Sequence, residues 1–100
     1  VEPATVSDEE LEKFSGCLKS SGFLIYGVDN CVYTQNLLAQ LGGKEIVGSM
    51  YINCTTSSKA CSDKKITGYP TILINNKEMQ GSRTFANFSE LTGCPVPVAK

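Results

Sequence analysis

The chain has 100 residues, 41% of them apolar, with nine basic against ten acidic side chains and a net charge of −1. That length suits one domain, in which about two-thirds of the unfolded surface is buried on folding. The charge balance excludes nucleic-acid binding by charge, no apolar run approaches the ~20 residues of a membrane span, and the absence of histidine removes Ser-His-Asp and Cys-His catalysis.

Val1 to Val6 shows no periodic pattern and reads as a loose lead-in. The start at Val1 rather than methionine is that expected of a processed or excised chain, with any signal peptide or anchor outside it. Ser7-Asp-Glu-Glu10 is a capping box, and Leu11, Phe14 and Leu18 follow at helical spacing, predicting a helix from about Asp8 to Ser20 that stops at Gly22. Phe23 to Tyr26 is a short apolar run suited to a buried strand, ending at Gly27 before a turn at Val28 to Asn30. A second helix is predicted from Cys31 to Leu41, ended by Gly42-Gly43. The β-branched residues of Ile46 to Ile52 predict a second strand, and polar Thr55 to Lys65 holds a short helix. Gly68-Tyr69-Pro70 then interrupts the chain before a buried strand at Thr71 to Ile74. Asn75-Asn76 is a turn pair, which returns Lys77 to Gln80 as a hairpin. A last helix runs from near Thr84 to Gly93, carrying Phe85, Phe88 and Leu91, and Pro95 and Pro97 keep the 95–100 tail from extending it.

Two parallel strands joined by a helix, followed by a hairpin and a closing helix, predict an α/β fold: a mixed four-stranded sheet flanked by helices, in one domain over residues 1–100. This is the element order of a thioredoxin-like fold without its added N-terminal strand.

Cysteine is the remaining compositional signal. The five cysteines (Cys17, Cys31, Cys54, Cys61, Cys94) are separated by 14, 23, 7 and 33 positions. With no C-x-x-C pair and no histidine, that spacing argues against structural zinc and for disulfides in an oxidising compartment. The odd count leaves at least one thiol unpaired unless a partner chain takes it. Cys31 stands where a strand hands over to a helix, facing unpaired amides and the positive end of the helix dipole, which favours a thiolate.

Tyr69-Pro70-Thr71 opens a strand as the cis-proline loop of thioredoxin-like proteins does beside their active cysteine. Together with Tyr26-Gly-Val-Asp-Asn-Cys31, Tyr51-Ile-Asn-Cys54, Ala60-Cys61, Ile66-Thr-Gly-Tyr-Pro-Thr71, Gly81-Ser-Arg83 and Leu91-Thr-Gly93, this resembles the thioredoxin-like domain fused to, or partnered with, vitamin K epoxide reductase homologues. The resemblance runs from about Tyr26 to Pro95. It implies a thiol–disulfide oxidoreductase in which a Cys-Pro-His-Cys type motif takes electrons from substrate protein thiols and passes them to a membrane-embedded reductase domain. It also implies a structural disulfide between Cys54 and Cys61 and a periplasmic, lumenal or secreted setting. A cis bond at Pro70 exposes the Tyr69 backbone for pairing with an extended substrate segment, the alternative being that Tyr69 is only core or rim. Neither a cofactor nor a metal is implied, and a monomer is expected.

The chain departs from that family at its motif, which reads Cys31-Val-Tyr-Thr34. Threonine cannot resolve a mixed disulfide, so Cys31 is left to form one that an external thiol must resolve. Thr34 is either a hydrogen-bond donor to the thiolate or a plain helix-surface residue. Asp29 opposes ionisation, so the expectation is a Cys31 less acidic than the family's nucleophile. Cys17 and Cys94 lie near helix ends at the pole away from Cys31. A bridge between them would leave Cys31 as the one free thiol, but helices covering opposite faces of the sheet favour two buried free thiols instead.

Three readings of function follow. The first is exchange through Cys31 with Thr34 beside it. Its rival is a redox-inactive module that holds an extended peptide or a membrane partner in the groove between Cys31 and Tyr69-Pro70. The third is a glutaredoxin-like use of glutathione, for whose carboxylates the sequence shows no clear site. The sequons Asn53-Cys-Thr55 and Asn87-Phe-Ser89 say only that glycosylation is compatible with the chain. Lys59, Lys64 and Lys65 with Asp63 read as a solvated face.

Overall fold

A computed structural model describes residues 6–98. The predicted lead-in therefore lies outside the described residues except for Val6, which forms an isolated β-bridge, and the tail is described only as far as Val98. Helix α1 spans Asp8–Ser20, with Ser7 Oγ accepting the Glu10 N–H at 3.3 Å. Acidic Asp8, Glu9 and Glu10 in its first turn and Lys19 in its last both suit the helix dipole. Strand β1 (Phe23–Gly27) leads to α2 (Val32–Gln40), α3 (Lys44–Val47), a 3-10 turn at Gly48–Met50 and β2 (Tyr51–Asn53). Helix α4 (Ser58–Asp63), β3 (Thr71–Ile74), β4 (Lys77–Glu78) and α5 (Phe85–Thr92) complete the order.

The strands lie in the order β2-β1-β3-β4. β1 runs parallel to β2 and antiparallel to β3, with Tyr26 opposite Thr71. Asn75 and Asn76, both at positive φ (53° and 69°), close the β3–β4 hairpin. This mixed four-stranded sheet flanked by helices has the arrangement of a thioredoxin-like fold.

Alternation along the strands divides the core in two. Phe23, Ile25 and Ile72 point to the face covered by Phe14 and Leu18 of α1, Leu37 and Leu38 of α2, and Phe88 of α5. Phe23 and Phe88 meet edge to face with centroids 5.2 Å apart. Tyr26 and Leu73 point to the other face, where they pack with Cys54 and Cys61 and against Leu24, Val28, Ile52 and Ile66. Cys54 and Cys61 are bonded (S–S 2.00 Å), so a bridge of sulfur forms part of this second core.

Three expectations are corrected. The strand predicted over Ile46 to Ile52 is confined to Tyr51–Asn53, because the segment before it is helical. Gly43 (φ 97°) and Gly48 (φ 55°) break the chain on either side of α3. Buried Val47 and Met50 and partly buried Ile46 are spaced for a helical turn, although two of the three are β-branched. The hairpin's return strand is two residues rather than Lys77 to Gln80, because Asn87 Nδ2 donates to the carbonyls of Gln80 (3.0 Å) and Ser82 (2.9 Å) and draws that segment toward α5.

The third correction concerns Cys17 and Cys94, which are not free thiols but a disulfide (S–S 2.12 Å). The premise that their helices lie on opposite faces fails. α1 and α5 share one face, where Phe14 and Phe85 meet edge to face at 5.4 Å. Among the described residues no helix is long and apolar enough to cross a membrane, and two disulfides accord with folding in an oxidising compartment.

The two bridges close very different stretches, with sequence separations of 77 and 7. Chain entropy alone makes them worth roughly 4.5 and 2.5 kcal/mol. Replacing Cys17 and Cys94 together by alanine is expected to lower the unfolding free energy by about 2 kcal/mol more than the same change at Cys54 and Cys61. Denaturant titrations of the two double variants under non-reducing conditions measure the difference.

Candidate functional site

β1 ends in a tight turn in which the Cys31 N–H donates to the Val28 carbonyl at 3.2 Å. Cys31 is then the N-cap of α2, with extended backbone (φ −90°, ψ 123°) and no side-chain capping bond. Its carbonyl accepts the first helical bond, from Gln35 N–H at 3.0 Å. The amides of Tyr33 and Thr34 are left facing the sulfur. They hold the Cys31 thiol below its ordinary value: the Thr34 N–H acts most strongly, burial opposes it, and the Thr34 hydroxyl, the Tyr33 N–H and the Arg83 cation assist. Cys31 is the one free cysteine among the described residues.

Thr34 is fully buried (0% exposed), so the helix-surface alternative does not hold. Its Oγ1 is buried without a hydrogen-bond partner. The buried hydroxyl lies close enough to the sulfur to help hold the Cys31 pKa down, behind the Thr34 N–H.

Across from the sulfur stands the Tyr69 carbonyl, 3.8 Å from Cys31 Sγ. The Tyr69–Pro70 peptide is cis. Because Thr71 pairs with Tyr26 in the β1–β3 ladder, Pro70 falls opposite Gly27 and Tyr69 beside the turn that carries Cys31. Thr71 Oγ1 donates to the Gly68 carbonyl (2.7 Å), and Arg83 Nη2 donates to the Pro70 carbonyl (3.4 Å). Val32, Tyr33 and Tyr69 are 57%, 62% and 43% exposed, an apolar rim beside a polar sulfur.

Asp29 does not stand as a bare charge beside Cys31, contrary to expectation. Its carboxylate forms an ion pair with Lys44 Nζ (2.9 Å) and accepts from the Tyr51 hydroxyl (2.8 Å). The Lys44 and Tyr51 hydrogen bonds hold the Asp29 carboxyl below its ordinary range, and Tyr51 is pushed up by burial, by Asp29 and by the charge of Cys31. Gln35 Nε2 adds a bond to the Asp29 carbonyl at 2.8 Å, so the turn is pinned on both sides.

The structure thus brings together Cys31, Thr34, Tyr69 and Pro70. Cys54 and Cys61 sit on the other face of the sheet and connect through one bond, Cys54 N–H to the Gly27 carbonyl at 2.7 Å. The sequence reading missed Arg83, Lys44, Tyr51 and Gly27 as parts of the site. Gly27 matters through what it lacks: a Cβ there would stand 2.7 Å from Thr34 Oγ1 and 2.8 Å from Thr34 Cγ2. The signal for it was present in the sequence, a glycine at a strand end four positions before Cys31. Of the sequons, Asn53 Oδ1 accepts from Thr55 N–H (2.9 Å), while Asn87 spends its amide on Gln80 and Ser82.

No family model matches the chain. It is 31% identical over 87 aligned residues to the thiol-disulfide oxidoreductase LTO1 of Arabidopsis thaliana, a match covering 76% of this chain and 22% of that protein. The chain spans about a fifth of the length of the curated relative it matches. That likeness, with cysteines that form disulfides, supports a redox function in general.

Gly27→Ala is expected to cost about 1–3 kcal/mol of stability by overpacking Thr34. Adding Thr34→Ala should return at least half of that loss. A double-mutant cycle by denaturant unfolding measures the coupling, and strict additivity would show that the two residues do not press on each other.

Proposed function

We propose that this chain is a thiol–disulfide exchange domain whose sole nucleophile is Cys31, acting within Cys31-Val-Tyr-Thr34. The observation that carries the reading is the sulfur's setting: one free thiol at the start of α2, lowered in pKa, 3.8 Å from the Tyr69 carbonyl. A thiolate there attacks a disulfide sulfur of a substrate protein and forms a mixed disulfide. The electron pair leaves on the displaced substrate sulfur, and an external thiol later resolves the bond. In this reading Thr34 steadies the thiolate, Tyr69 and Pro70 line the seat of an extended substrate segment, and Cys54–Cys61 braces the loop that leads to Pro70. The chain is one domain, works as a monomer in a periplasmic, lumenal or secreted space, and exchanges electrons with substrate proteins and a membrane-embedded reductase domain.

The sign of the pH dependence follows from the lowered Cys31 pKa. The thiolate is the reactive form, so a downward shift moves the whole rate profile to lower pH. Alkylation of Cys31 by iodoacetamide should rise with pH and reach its midpoint below about 8.5, the unperturbed value. Thr34→Val removes the hydroxyl but keeps the foremost donor, the backbone N–H. It should slow alkylation near neutral pH by about three- to tenfold, the worth of one hydrogen bond. A Cys31 that resists alkylation until the protein unfolds would remove the nucleophile from this proposal.

Supplying the missing resolving thiol is a second check. Thr34→Cys should form an internal disulfide with Cys31 and raise insulin reduction by dithiothreitol well above the parent's rate. The exposed rim of Val32, Tyr33 and Tyr69 also suits the rival, a module that binds an extended segment without electron transfer. Equal background rates in the parent and in Cys31→Ala would favour that rival.

A further inference from the structure

A single-thiol site leaves open which sulfur compound Cys31 meets, and a groove beside it bears on that question. It encloses about 370 Å³, within the ~300–1,000 Å³ typical of small-molecule sites. One wall is Pro70 to Ile72, the other Gly81 to Arg83, with Glu78 and Met79 between them. The hairpin register sets its direction. Glu78 pairs with Leu73 and Met79 N–H donates to the Ile72 carbonyl, so the chain reaches Pro70 only at Arg83. The cation therefore marks the end of the groove nearest Cys31, and Glu78, opposite Leu73, lies three residues, or roughly 10 Å, further along β3.

Arg83 is exposed and makes no ion pair among the described residues; its guanidinium donates to the Pro70 carbonyl, and its own carbonyl accepts from Gln40 Nε2. Its charge nevertheless reaches the Cys31 sulfur. Just beyond it α5 begins, capped by Thr84 and with no acidic residue in its first turn to offset the dipole. The end of the groove nearest the thiol is electropositive. It suits a small molecule that carries both a sulfur and a carboxylate.

We propose that the groove between Pro70–Ile72 and Gly81–Arg83 seats the glutathionyl half, or an equivalent carboxylate-bearing half, of a small disulfide that exchanges with Cys31. This rests on Cys31 being the nucleophile proposed above. In the step, the Cys31 thiolate attacks the glutathionyl sulfur of a disulfide RS–SG. A bond forms between Cys31 Sγ and that sulfur, the RS–SG bond breaks, and RS⁻ departs with the electron pair and takes a proton from water. Arg83 pairs with a carboxylate of the seated half, and Glu78 repels it from the outer end.

The test is the rate at which Cys31 becomes S-thiolated, followed by intact-protein mass. Three disulfides are compared: oxidised glutathione (anionic), bis(2-hydroxyethyl) disulfide (neutral) and cystamine (cationic). Because Arg83 also favours the thiolate, Arg83→Met lowers all three rates to some degree. Dividing by the neutral rate removes that common loss. The ratio of glutathione to neutral rate is expected to fall about fivefold in Arg83→Met, the worth of one partly exposed charge pair. The cystamine ratio should rise, Arg83→Lys should recover part of the glutathione ratio, and Glu78→Gln should increase it. An unchanged glutathione ratio in Arg83→Met overturns the groove assignment while leaving the nucleophile intact. No thiolation of Cys31 by any of the three disulfides overturns the nucleophile itself.

Discussion

The site depends on the antiparallel pairing of β1 with β3, and within it on one position, Gly27. With Tyr26 opposite Thr71, the strand that delivers Cys31 and the strand that follows Pro70 have a fixed offset. A slip of one residue would turn Tyr26 and Leu73 toward the wrong core and carry Tyr69 away from the sulfur. Gly27 then meets three partners at once: the sheet beside it, the Cys54 N–H on its carbonyl, and Thr34 packed where its side chain would be. Strand, disulfide and helix are joined through a residue with no side chain of its own.

The two faces of the sheet solve the burial problem in different ways. The first is covered by α1, α2 and α5, whose leucines and phenylalanines fill it as in any α/β layer. The second has only the six-residue α4 and a long polar segment to cover it. Six residues cannot present a full apolar stripe. The Cys54–Cys61 bridge takes the place of the missing side chains, being both a cross-link and a piece of the core at 6% and 5% exposure. On this face a covalent bond completes a core that a short helix and a polar segment leave thin.

Much of this was legible in the residues. Ser7 followed by Leu11, Phe14 and Leu18 marks α1, and the Asn75-Asn76 pair marks the hairpin, because capping and turn chemistry act over a few positions. Thr71 to Ile74 reads as a buried strand for the same reason. What escaped was what depends on contacts distant in sequence. Periodicity says that α1 and α5 each bury a stripe, but not that both bury it on the same face, so it gives no ground for the Cys17–Cys94 bridge. Lys44 cancels the charge of Asp29 from 15 positions away, across α2, which no local pattern records. At Ile46 to Met50 the β-branched composition competed with helical spacing, and the flanking glycines decided for the helix. Cys31 and Tyr69-Pro70 were visible because each sits at a break in pattern; Arg83 stood in a matching motif, but nothing local ties an arginine in a polar loop to the sulfur.

The Cys17–Cys94 bridge also determines how the molecule would bear a mechanical load. Force applied to the chain outside the two cysteines passes through sulfur, not through the sheet. The stretch between them, separated by 77 positions and holding every strand, is shielded, so roughly 260 Å of contour stays unavailable to the pull. Oxidised, the domain would behave under tension as a short, nearly inextensible link. Reduced, the same pull would reach the edges of the sheet and peel it open.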